Sequence, residues 1–152
     1  MLRTRDGWIR TLDLPRIERA LREAEQKTSA ELRVSVAPLF WGSVQAAAER
    51  AFERLGMRQT RERNGVLIFV VPGRRRFAVL GDAGVHARTG QDLWDEVAAI
   101  LRRHFSRGAF TEGLVAAIDA LGVALAEPFP HAHDDENELP DRVDLNGPSP
   151  EP

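Results

Sequence analysis

Four acidic residues stand where their oxygens could ligate a divalent cation. Asp82 directly follows an apolar run and lies between two nearby glycines; in open α/β sheets, ligands gather in loops beyond strand ends. Glu31 begins another apolar segment, and Asp92 and Asp95 fall at the start of a predicted helix. A hard cation such as Ca²⁺ binds several oxygens from carboxylates, carbonyls and water. These residues would form a calcium site if the fold brings them together.

A second interpretation of the same residues needs no metal. Asp82 would hydrogen-bond its own backbone in a turn, while Asp92 and Asp95 would complement the dipole of a helix N-terminus. No segment has the spacing of an EF-hand loop. Because the chain has no cysteine, disulfides and Cys-ligated metal centres are excluded.

Phosphoryl transfer is another chemistry that the residue types allow. A phosphatase needs a nucleophile or a metal-activated water, together with positive groups that hold the phosphoryl oxygens. Arginines are plentiful, and His86 and His104 have side chains suited to acid–base roles. The position of His104 on the apolar face of a helix is more typical of a half-buried structural histidine. The hydroxyl residues fall in no recognisable catalytic motif: Ser35, Ser43, Thr89 and Ser106.

Arg74–Arg76 form the most concentrated basic cluster of the sequence. Clustered arginines bind phosphate or nucleic acid, but no aromatic residues alternate with these three. The pattern favours a solvated hairpin turn, with docking of acidic residues of the same chain as a second use, and no nucleic-acid partner is expected. Phe40, Trp41 and Trp94 are predicted to pack in the core or in loops rather than to form a ligand platform.

The segment Asn64–Gly84 must position these residues. Two apolar runs, Val66–Val71 and Phe77–Leu80, are joined by a Pro-Gly turn and three arginines. Continuous apolar runs of this length predict strands buried on both faces, and the short connection makes them a hairpin. Two-sided burial requires helices on both faces of the sheet.

The rest of the chain supplies those helices and one more strand. Residues 31–38 alternate, which predicts a strand nearer the sheet edge, with Glu31, Arg33 and Ser35 on its less buried side. Residues 84–89 are predicted to be a loop. Helices are predicted from about Leu14 with Asp13 as N-cap, from Val44 with Ser43 as N-cap, from about Leu93 to His104, and from Phe110 to Glu127. A strand–helix–strand crossover predicts a parallel pair, so we expect a three-layer α/β/α sandwich with a mixed sheet and a central hairpin.

Charge divides the 152 residues unevenly. Residues 1–126 carry 20 basic and 15 acidic groups, whereas residues 127–152 carry one basic and 8 acidic groups, a net +5 against −7. We therefore divide the chain into a polar arm (1–12), a domain (13–130) and an acidic, proline-rich tail (131–152). The tail either docks on the basic body, with Leu139, Val143 and Leu145 as apolar anchors, or only solvates the chain end.

Nothing in the sequence predicts insertion into a membrane. The first residues lack the apolar run of a signal peptide, and no stretch approaches the roughly 20 apolar residues of a membrane span. We expect a soluble cytoplasmic protein.

Several segments in order give the chain a family resemblance. They are Thr28–Val36 (TSAELRVSV), Asn64–Val70 (NGVLIFV), Arg74–Val85 (RRRFAVLGDAGV), Phe105–Leu114 (FSRGAFTEGL) and Phe129–Pro130. With these motifs, residues 13–130 resemble the TPM domain family, the domain of a thylakoid-lumen protein, a photosystem II repair factor and a nematode receptor-associated protein. The segment NELPD, Asn137–Asp141, is similar to the ending of a soluble bacterial branch.

The resemblance implies an α/β/α sandwich, binding of divalent cations such as Ca²⁺ and, for some members, acid phosphatase activity. Many members are secreted or membrane-anchored. Where the family typically has GYGLEG followed by Asp, this chain has Gly81–His86, GDAGVH. By position, only Glu31 and Asp82 match as candidate metal ligands.

Together the residues and the resemblance predict a non-enzymatic interaction module, with a divalent cation, Ca²⁺, as its expected ligand. The partner expected is another protein, membrane-associated by analogy with the family. The alternative is a weak metal-dependent acid phosphatase.

Overall fold

The computed structural model describes residues 11–132 and 143–145, so the predicted arm, including Trp8, lies almost wholly outside the described residues. In the described part, five α-helices and three β-strands follow one another. They are α1 (Leu14–Glu25), β1 (Glu31–Val36), α2 (Val44–Arg54), β2 (Gly65–Val71), β3 (Arg76–Gly81), α3 (Ala83–Arg88), α4 (Gln91–Phe105) and α5 (Phe110–Leu125). A 3₁₀ turn, Pro72–Arg74, joins β2 to β3.

The sheet has the strand order β1-β2-β3, with β2 in the centre. β1 and β2 are parallel, and Glu31 lies opposite Gly65 in the first pair of their register. β2 and β3 are antiparallel, and Val66 lies opposite Gly81. The parallel crossover and the antiparallel hairpin predicted from the sequence are both confirmed.

Side chains of β2 alternate between two separate hydrophobic cores. Val66, Ile68 and Val70 belong to one core, and Leu67, Phe69 and Val71 belong to the other. All seven residues of β2 are buried, which is why its sequence is an unbroken apolar run rather than an alternating one.

Helices cover the two faces of the sheet unequally. α1, α4 and α5 pack against the face that carries Val66, through residues such as Ile17, Leu101 and Leu121. α2 covers the opposite face, through Ala48, Ala51 and Phe52 among others. The predicted α/β/α sandwich is therefore confirmed.

The predicted helix boundaries of α1 and α2 are confirmed by their capping contacts. Asp13 accepts a hydrogen bond from the backbone N–H of Arg16 at 3.2 Å, and Ser43 accepts one from Ala46 at 3.0 Å. Gly56 follows α2 with φ of +68°, a left-handed conformation that glycine adopts without strain.

The loop predicted at residues 84–89 is wrong, because Ala83–Arg88 form the helix α3. The glycines and Asp82 resemble turn residues, and they serve a helix start instead. Asp82 is the N-cap of α3, and its side chain accepts from the N–H of Ala83 at 2.8 Å. Gly84 lies inside this helix. Only glycine fits at this position, because a Cβ there would come within 2.1 Å of the carbonyl oxygen of Glu62.

The predicted two-sided burial of β3 is also wrong. Only Ala78 is buried, while Phe77, Val79 and Leu80 are partly exposed. β3 lies at an edge of the three-stranded sheet, so its side chains have neighbours on one strand only. Its apolar sequence reflects packing of Phe77 and Val79 on one core and of Leu80 on the other.

At the opposite edge, residues 143–145 lie against β1. Val143 is buried in the larger core, and Leu145 packs against the same core, as predicted for apolar anchors of the tail. The third predicted anchor, Leu139, lies outside the described residues. Ser35 was predicted on the less buried side of β1 but is fully buried, because Asp144 lies opposite it.

Between residues 11 and 132, and in residues 143–145, the helices are too short or too polar to cross a bilayer.

Candidate functional site

Asp82, the strongest cation ligand predicted from the sequence, is fully engaged by the protein itself. The guanidinium of Arg63 donates to Oδ2 through Nε at 2.6 Å and to Oδ1 through Nη2 at 2.8 Å. The N–H of Ala83 also donates to Oδ1, at 2.8 Å. The Asp82 side chain is 1% exposed, and Nη1 of Arg58 lies 3.6 Å from Oδ1. The carboxylate is thus a clamp between the 57–63 loop and the start of α3.

Electrostatics keep this carboxylate ionised. Burial raises the pKa of Asp82, but the hydrogen bonds from Arg63 and Ala83 and the attraction of Arg63 and Arg58 outweigh it. The net pKa lies below the ordinary value of an aspartate. The same pair raises the pKa of Arg63, first through its hydrogen bond to Asp82.

Local backbone geometry presents Arg63 to Asp82. Arg63 has φ of +52°, a left-handed conformation that is unfavourable for a residue with a Cβ. Its carbonyl accepts from the N–H of Gly84 at 2.8 Å, and the N–H of Asp82 donates to Gly65 at 2.9 Å. Backbone and side-chain contacts therefore join the 57–63 loop, β2 and α3 at one point.

The position of the clamp in the sheet differs from the position predicted for a ligand site. Asp82 follows the carboxyl end of β3, but β3 runs antiparallel to β1 and β2. The clamp therefore lies at the amino ends of the parallel strands, together with Glu31 at the start of β1. Ligands of open α/β sheets gather at the other end.

Beside Glu31 lies Asn64, a residue with a side-chain oxygen that was not among the ligands predicted from the sequence. The N–H of Glu31 donates to the carbonyl of Asn64 at 3.2 Å. Asn64 is 2% exposed, and its Oδ1 has no hydrogen-bond partner among the described residues. Nδ2 of the same side chain donates to the carbonyl of Ser29 at 3.2 Å.

The other two predicted ligands lie on α4. Asp92 and Asp95 are both exposed, and Asp95 accepts a hydrogen bond from Gln91 at 3.0 Å. Asp92 lies in the first turn of the helix, where a negative charge complements the helix dipole.

These donors do not fit a calcium centre. Ca²⁺ takes six to eight oxygen ligands, whereas both oxygens of Asp82 bind guanidinium and amide groups. In the part of the chain that the structure describes, no three His, Asp or Glu side chains converge as metal ligands would. Binding of Ca²⁺ stays a prediction from the resemblance.

The opposite end of the sheet carries an apolar loop, residues 38–42, directly after β1. Trp41 is 83% exposed and Leu39 is 50% exposed, so of the two arrangements predicted for Trp41, packing in the core or in a loop, the core is excluded. Nη1 of Arg74 donates to the carbonyls of Phe40 at 3.1 Å and Gly42 at 2.9 Å. Its guanidinium lies 5.4 Å from the centre of the Phe40 ring. Arg74 therefore fixes this loop against the hairpin turn.

Comparison with known proteins identifies the family. The sequence model of a family described as the TPM domain matches residues 6–124. This chain belongs to the TPM domain family.

Two solved structures share the fold of this TPM domain. One is the NMR structure of the BA42 protein from the psychrophilic bacterium Bizionia argentinensis, which is 35% identical; the alignment covers 88% of this chain and 94% of that chain, with a TM-score of 0.82. The other is the N-terminal domain of a P. gingivalis protein, 19% identical, with 77% and 76% covered and a TM-score of 0.62. The second similarity shows the fold alone. A search of curated proteins found no significant match.

The hydroxyl groups considered for phosphoryl transfer all make structural hydrogen bonds in this TPM domain. Ser35 donates to Asp144 at 2.8 Å, Thr89 donates to the carbonyl of Val85 at 2.8 Å, and Ser106 donates to the carbonyl of Arg103 at 3.0 Å. Ser43 caps α2. Each hydroxyl thus has a role in local structure.

The two candidate acid–base histidines likewise contact structural groups. The centroid of the His86 ring lies 5.1 Å from that of the Trp94 indole. Nδ1 of His104 lies 2.9 Å from the carbonyl oxygen of Ile100, one helical turn earlier. None of these contacts joins a histidine to a hydroxyl nucleophile.

A cleft of about 380 Å³ lies between α2 and the end of β3. Phe52, Leu80 and Gly81 give it apolar walls. Arg58 lies at its rim, forms an ion pair with Glu53 and approaches the Phe52 ring to 5.3 Å. The lining contains neither a histidine nor a hydroxyl residue, so its chemistry is that of a mixed-charge groove.

Proposed function

We propose that this TPM domain is a non-catalytic module that binds another protein through its apolar loop. The contact surface, which we name the Trp41 surface, consists of Leu39, Trp41 and the exposed arginines of the hairpin turn, Arg75 and Arg76. The observation that carries the proposal is the 83% exposure of Trp41. Tryptophan and arginine are the residues most enriched among the hot spots of protein interfaces.

The rigidity of the loop supports this proposal. Arg74 bonds two carbonyls on either side of Trp41 and covers the Phe40 ring. Gly42 has φ of +123°, which lets the chain turn back into α2 at little conformational cost. A preorganised apolar group loses little conformational entropy on binding, which favours affinity.

The location of the Trp41 surface gives a second argument. The loop follows the carboxyl end of β1, and the hairpin turn follows the carboxyl end of β2. This is the end of a parallel strand pair at which α/β proteins place their ligands. The Asp82 clamp lies at the other end and is closed by its own contacts.

Charge defines the kind of partner. Arg74 joins the hairpin turn to the apolar loop, and the next residue but one, Arg76, is exposed, so the complementary surface is an apolar pocket with an acidic rim. Arg74 and Arg75 already donate to carbonyls of this chain, the latter to Ser106 at 2.9 Å. Those donors are directed inward, which favours a protein partner over the phosphate backbone of a nucleic acid.

The other predicted chemistries draw no comparable support. A divalent cation would compete with Arg63 for Asp82, because both carboxylate oxygens already accept hydrogen bonds from that guanidinium. For the phosphatase alternative, no observation among the described residues places a nucleophile beside a base.

The proposal is tested by site-specific photo-crosslinking in cells with a photoreactive aromatic residue in place of Trp41. The matched control carries the same group in place of Val123, an apolar residue of α5 that is 65% exposed. We expect a specific protein adduct from position 41 only. Trp41→Ala should then weaken binding of the purified partner by about 30-fold, the effect of a 2 kcal/mol hot spot.

Two results would overturn the proposal. One is the same adducts from both positions, which would indicate random encounters. The other is Trp41-dependent binding to vesicles rich in anionic lipid, since tryptophan and arginine also suit a membrane interface.

A further inference from the structure

The outer edge of β3 presents backbone groups that face away from the sheet. The N–H of Asp82 donates to the carbonyl of Gly65 at 2.9 Å, and hydrogen-bonded pairs alternate along an antiparallel ladder. By this alternation Ala78 also bonds to β2, whereas the N–H and carbonyl groups of Phe77 and Val79 point outward. The part of the chain that the structure describes places no hydrogen-bond partner on these outward groups. Such an edge is a template for pairing with another strand.

The side chains of β3 leave apolar surface at this edge on both faces of the sheet. Phe77 and Val79 are partly exposed and pack against the larger core. Leu80 is also partly exposed and packs against the smaller core, on the α2 face. A strand added at this edge covers the exposed parts of these side chains, which is favourable. Aromatic and β-branched residues also form favourable pairs across neighbouring strands.

The start of β3 carries a positive charge on the α2 face. Arg76, the first residue of the strand, lies opposite Val71 in the antiparallel ladder. Because Val71 belongs to the smaller core and opposite residues share a face, the side chain of Arg76 also lies on the α2 face. Arg76 is exposed, and its guanidinium forms no ion pair within residues 11–132 and 143–145.

The end of β3 carries a cleft with an excess of negative charge on the same face. The last two residues of the strand line this cleft of about 380 Å³ together with Glu49, Glu53 and Arg58. Arg58 pairs with Glu53, whereas Glu49 is exposed and accepts a hydrogen bond from the neutral side chain of Gln45 at 3.1 Å. The cleft therefore has room for a guanidinium group and a carboxylate to receive it.

We propose that β3 pairs with β3 of a second copy of this chain in an antiparallel, twofold-symmetric dimer. The start of each strand then meets the end of the other, so the basic end and the acidic cleft come together twice. When Phe77 of each copy bonds to Val79 of the other, Arg76 lies directly opposite Leu80, which lines the cleft. Cβ atoms of opposite residues are about 5 Å apart, so the Arg76 guanidinium reaches Glu49 of the second copy.

Charge complementarity favours a second copy over other occupants of this edge. The strand itself carries both complementary ends, in the order that antiparallel pairing requires. Parallel pairing of two β3 strands would place like charges side by side, which is destabilising. The inference does not rest on the Trp41 surface, although the two share Arg76. Leu39 and Trp41 lie in the loop after β1, the strand at the far edge of the sheet.

Sedimentation velocity of the full chain from about 1 µM to about 1 mM tests the dimer. We expect a reversible dimer with a Kd in the micromolar range, because two short strands form a small interface. Amide hydrogen exchange in the same series locates the contact. The amides of Phe77 and Val79 should exchange roughly fivefold more slowly when the chain is at about ten times Kd, whereas those of Ala78 and Leu80, which bond to β2, should not change.

Exchange of charges tests the proposed register. Glu49→Arg and Arg76→Glu should each raise Kd by about tenfold, because like charges then meet at both ends of the symmetric interface. The double variant should return Kd to within about threefold of the value for the unaltered chain. The matched control is Arg50→Glu, one helical turn before Arg54, which contacts Asp144 at the opposite edge of the sheet. This variant should leave Kd unchanged.

Four results would overturn the proposal. They are a single monomer mass over the whole concentration range, a dimer in which the Phe77 and Val79 amides stay unprotected, a Kd that Glu49→Arg does not alter, and loss of the dimer with Trp41→Ala. The last would make the Trp41 surface the contact between copies. We expect Trp41→Ala to leave Kd unchanged and Glu49→Arg to leave the crosslink from position 41 unchanged, so failure of the dimer and failure of the Trp41 surface are distinguishable.

Discussion

Arg63 adopts a left-handed backbone conformation, φ +52°, and from it donates to both carboxylate oxygens of Asp82, at 2.6 and 2.8 Å. A residue with a Cβ adopts this conformation at a cost of about 1 kcal/mol or more. The ion pair offsets that cost because the Asp82 side chain is 1% exposed, where a charge needs a partner. The pair therefore explains why this acidic residue is structural.

Loss of the carboxylate charge should destabilise the protein in a cation-independent manner. Asp82→Asn removes the ion pair and weakens the cap of α3, and we expect a loss of about 2 kcal/mol. Thermal melts of metal-stripped protein should show the same loss with and without millimolar Ca²⁺. A Ca²⁺-induced rise of Tm in the unaltered chain that Asp82→Asn abolishes would instead make Asp82 a metal ligand.

Acid should weaken the protein through the same residue. Burial raises the pKa of Asp82, but its hydrogen bonds and neighbouring arginines lower it by more, so the net pKa is lowered in the folded chain. The folded state therefore binds this proton less readily than the unfolded state. The stabilisation is present above the unfolded pKa of about 3.9 and is lost as pH falls through the folded pKa. Urea unfolding between pH 6 and pH 2 measures it.

The pH series has a matched pair of variants. Asp82→Asn should flatten the decline in stability below about pH 4, whereas Asp119→Asn, at an exposed position of α5, should leave it unchanged. If the unaltered chain and both variants lost the same stability between pH 4 and pH 2, Asp82 would be excluded as the group responsible for the acid sensitivity.

Strain at Arg63 can be separated from its ion pair by two substitutions. Arg63→Ala and Arg63→Gly both remove the contacts with Asp82, but only glycine adopts φ of +52° without strain. After allowance for the greater unfolded-state entropy of glycine, Arg63→Gly should be more stable than Arg63→Ala by about 1 kcal/mol. Denaturant unfolding at neutral pH measures this difference, and equal stabilities would show that the backbone relaxes in the alanine variant.

The sequence predicted the layers of the fold because burial itself produces the pattern. β2 contacts two cores, so all its residues are apolar, and the crossover from β1 through α2 permits only a parallel arrangement. The capping residues Asp13 and Ser43 act within three residues of their partners. Interactions of this range are visible in a sequence.

The contacts that define the candidate sites are not local. Ser35 and Asp144 are 109 positions apart, and Arg63 and Asp82 are 19 apart, so spacing did not predict either pair. The exposure of Trp41 was also missed, because the presence of a tryptophan in a sequence does not show whether its side chain lies inside or outside a core. Its neighbour Gly42 and the arginine-rich turn were the only local signs of a constrained loop.

Gly84 gives the sharpest steric prediction, because α3 approaches the 57–63 loop through it. A Cβ at this position would lie 2.1 Å from the carbonyl oxygen of Glu62 and 2.6 Å from that of Arg63. Both are backbone atoms and cannot rotate away. Gly84→Ser should therefore displace α3 or the loop at a cost of about 2–3 kcal/mol, measured by denaturant unfolding.

The matched control for this prediction is Gly90→Ser at the N-cap of α4. A Cβ at Gly90 would meet nothing within 4 Å, and serine is a favourable N-cap, so this variant should be as stable as the unaltered chain or slightly more stable. The two variants add the same atoms, so a difference between them reports the close approach at Gly84. Equal stabilities would mean that α3 can shift away from the 57–63 loop at little cost. The close approach at Gly84 would then not be what holds Arg63 in place for the Asp82 clamp.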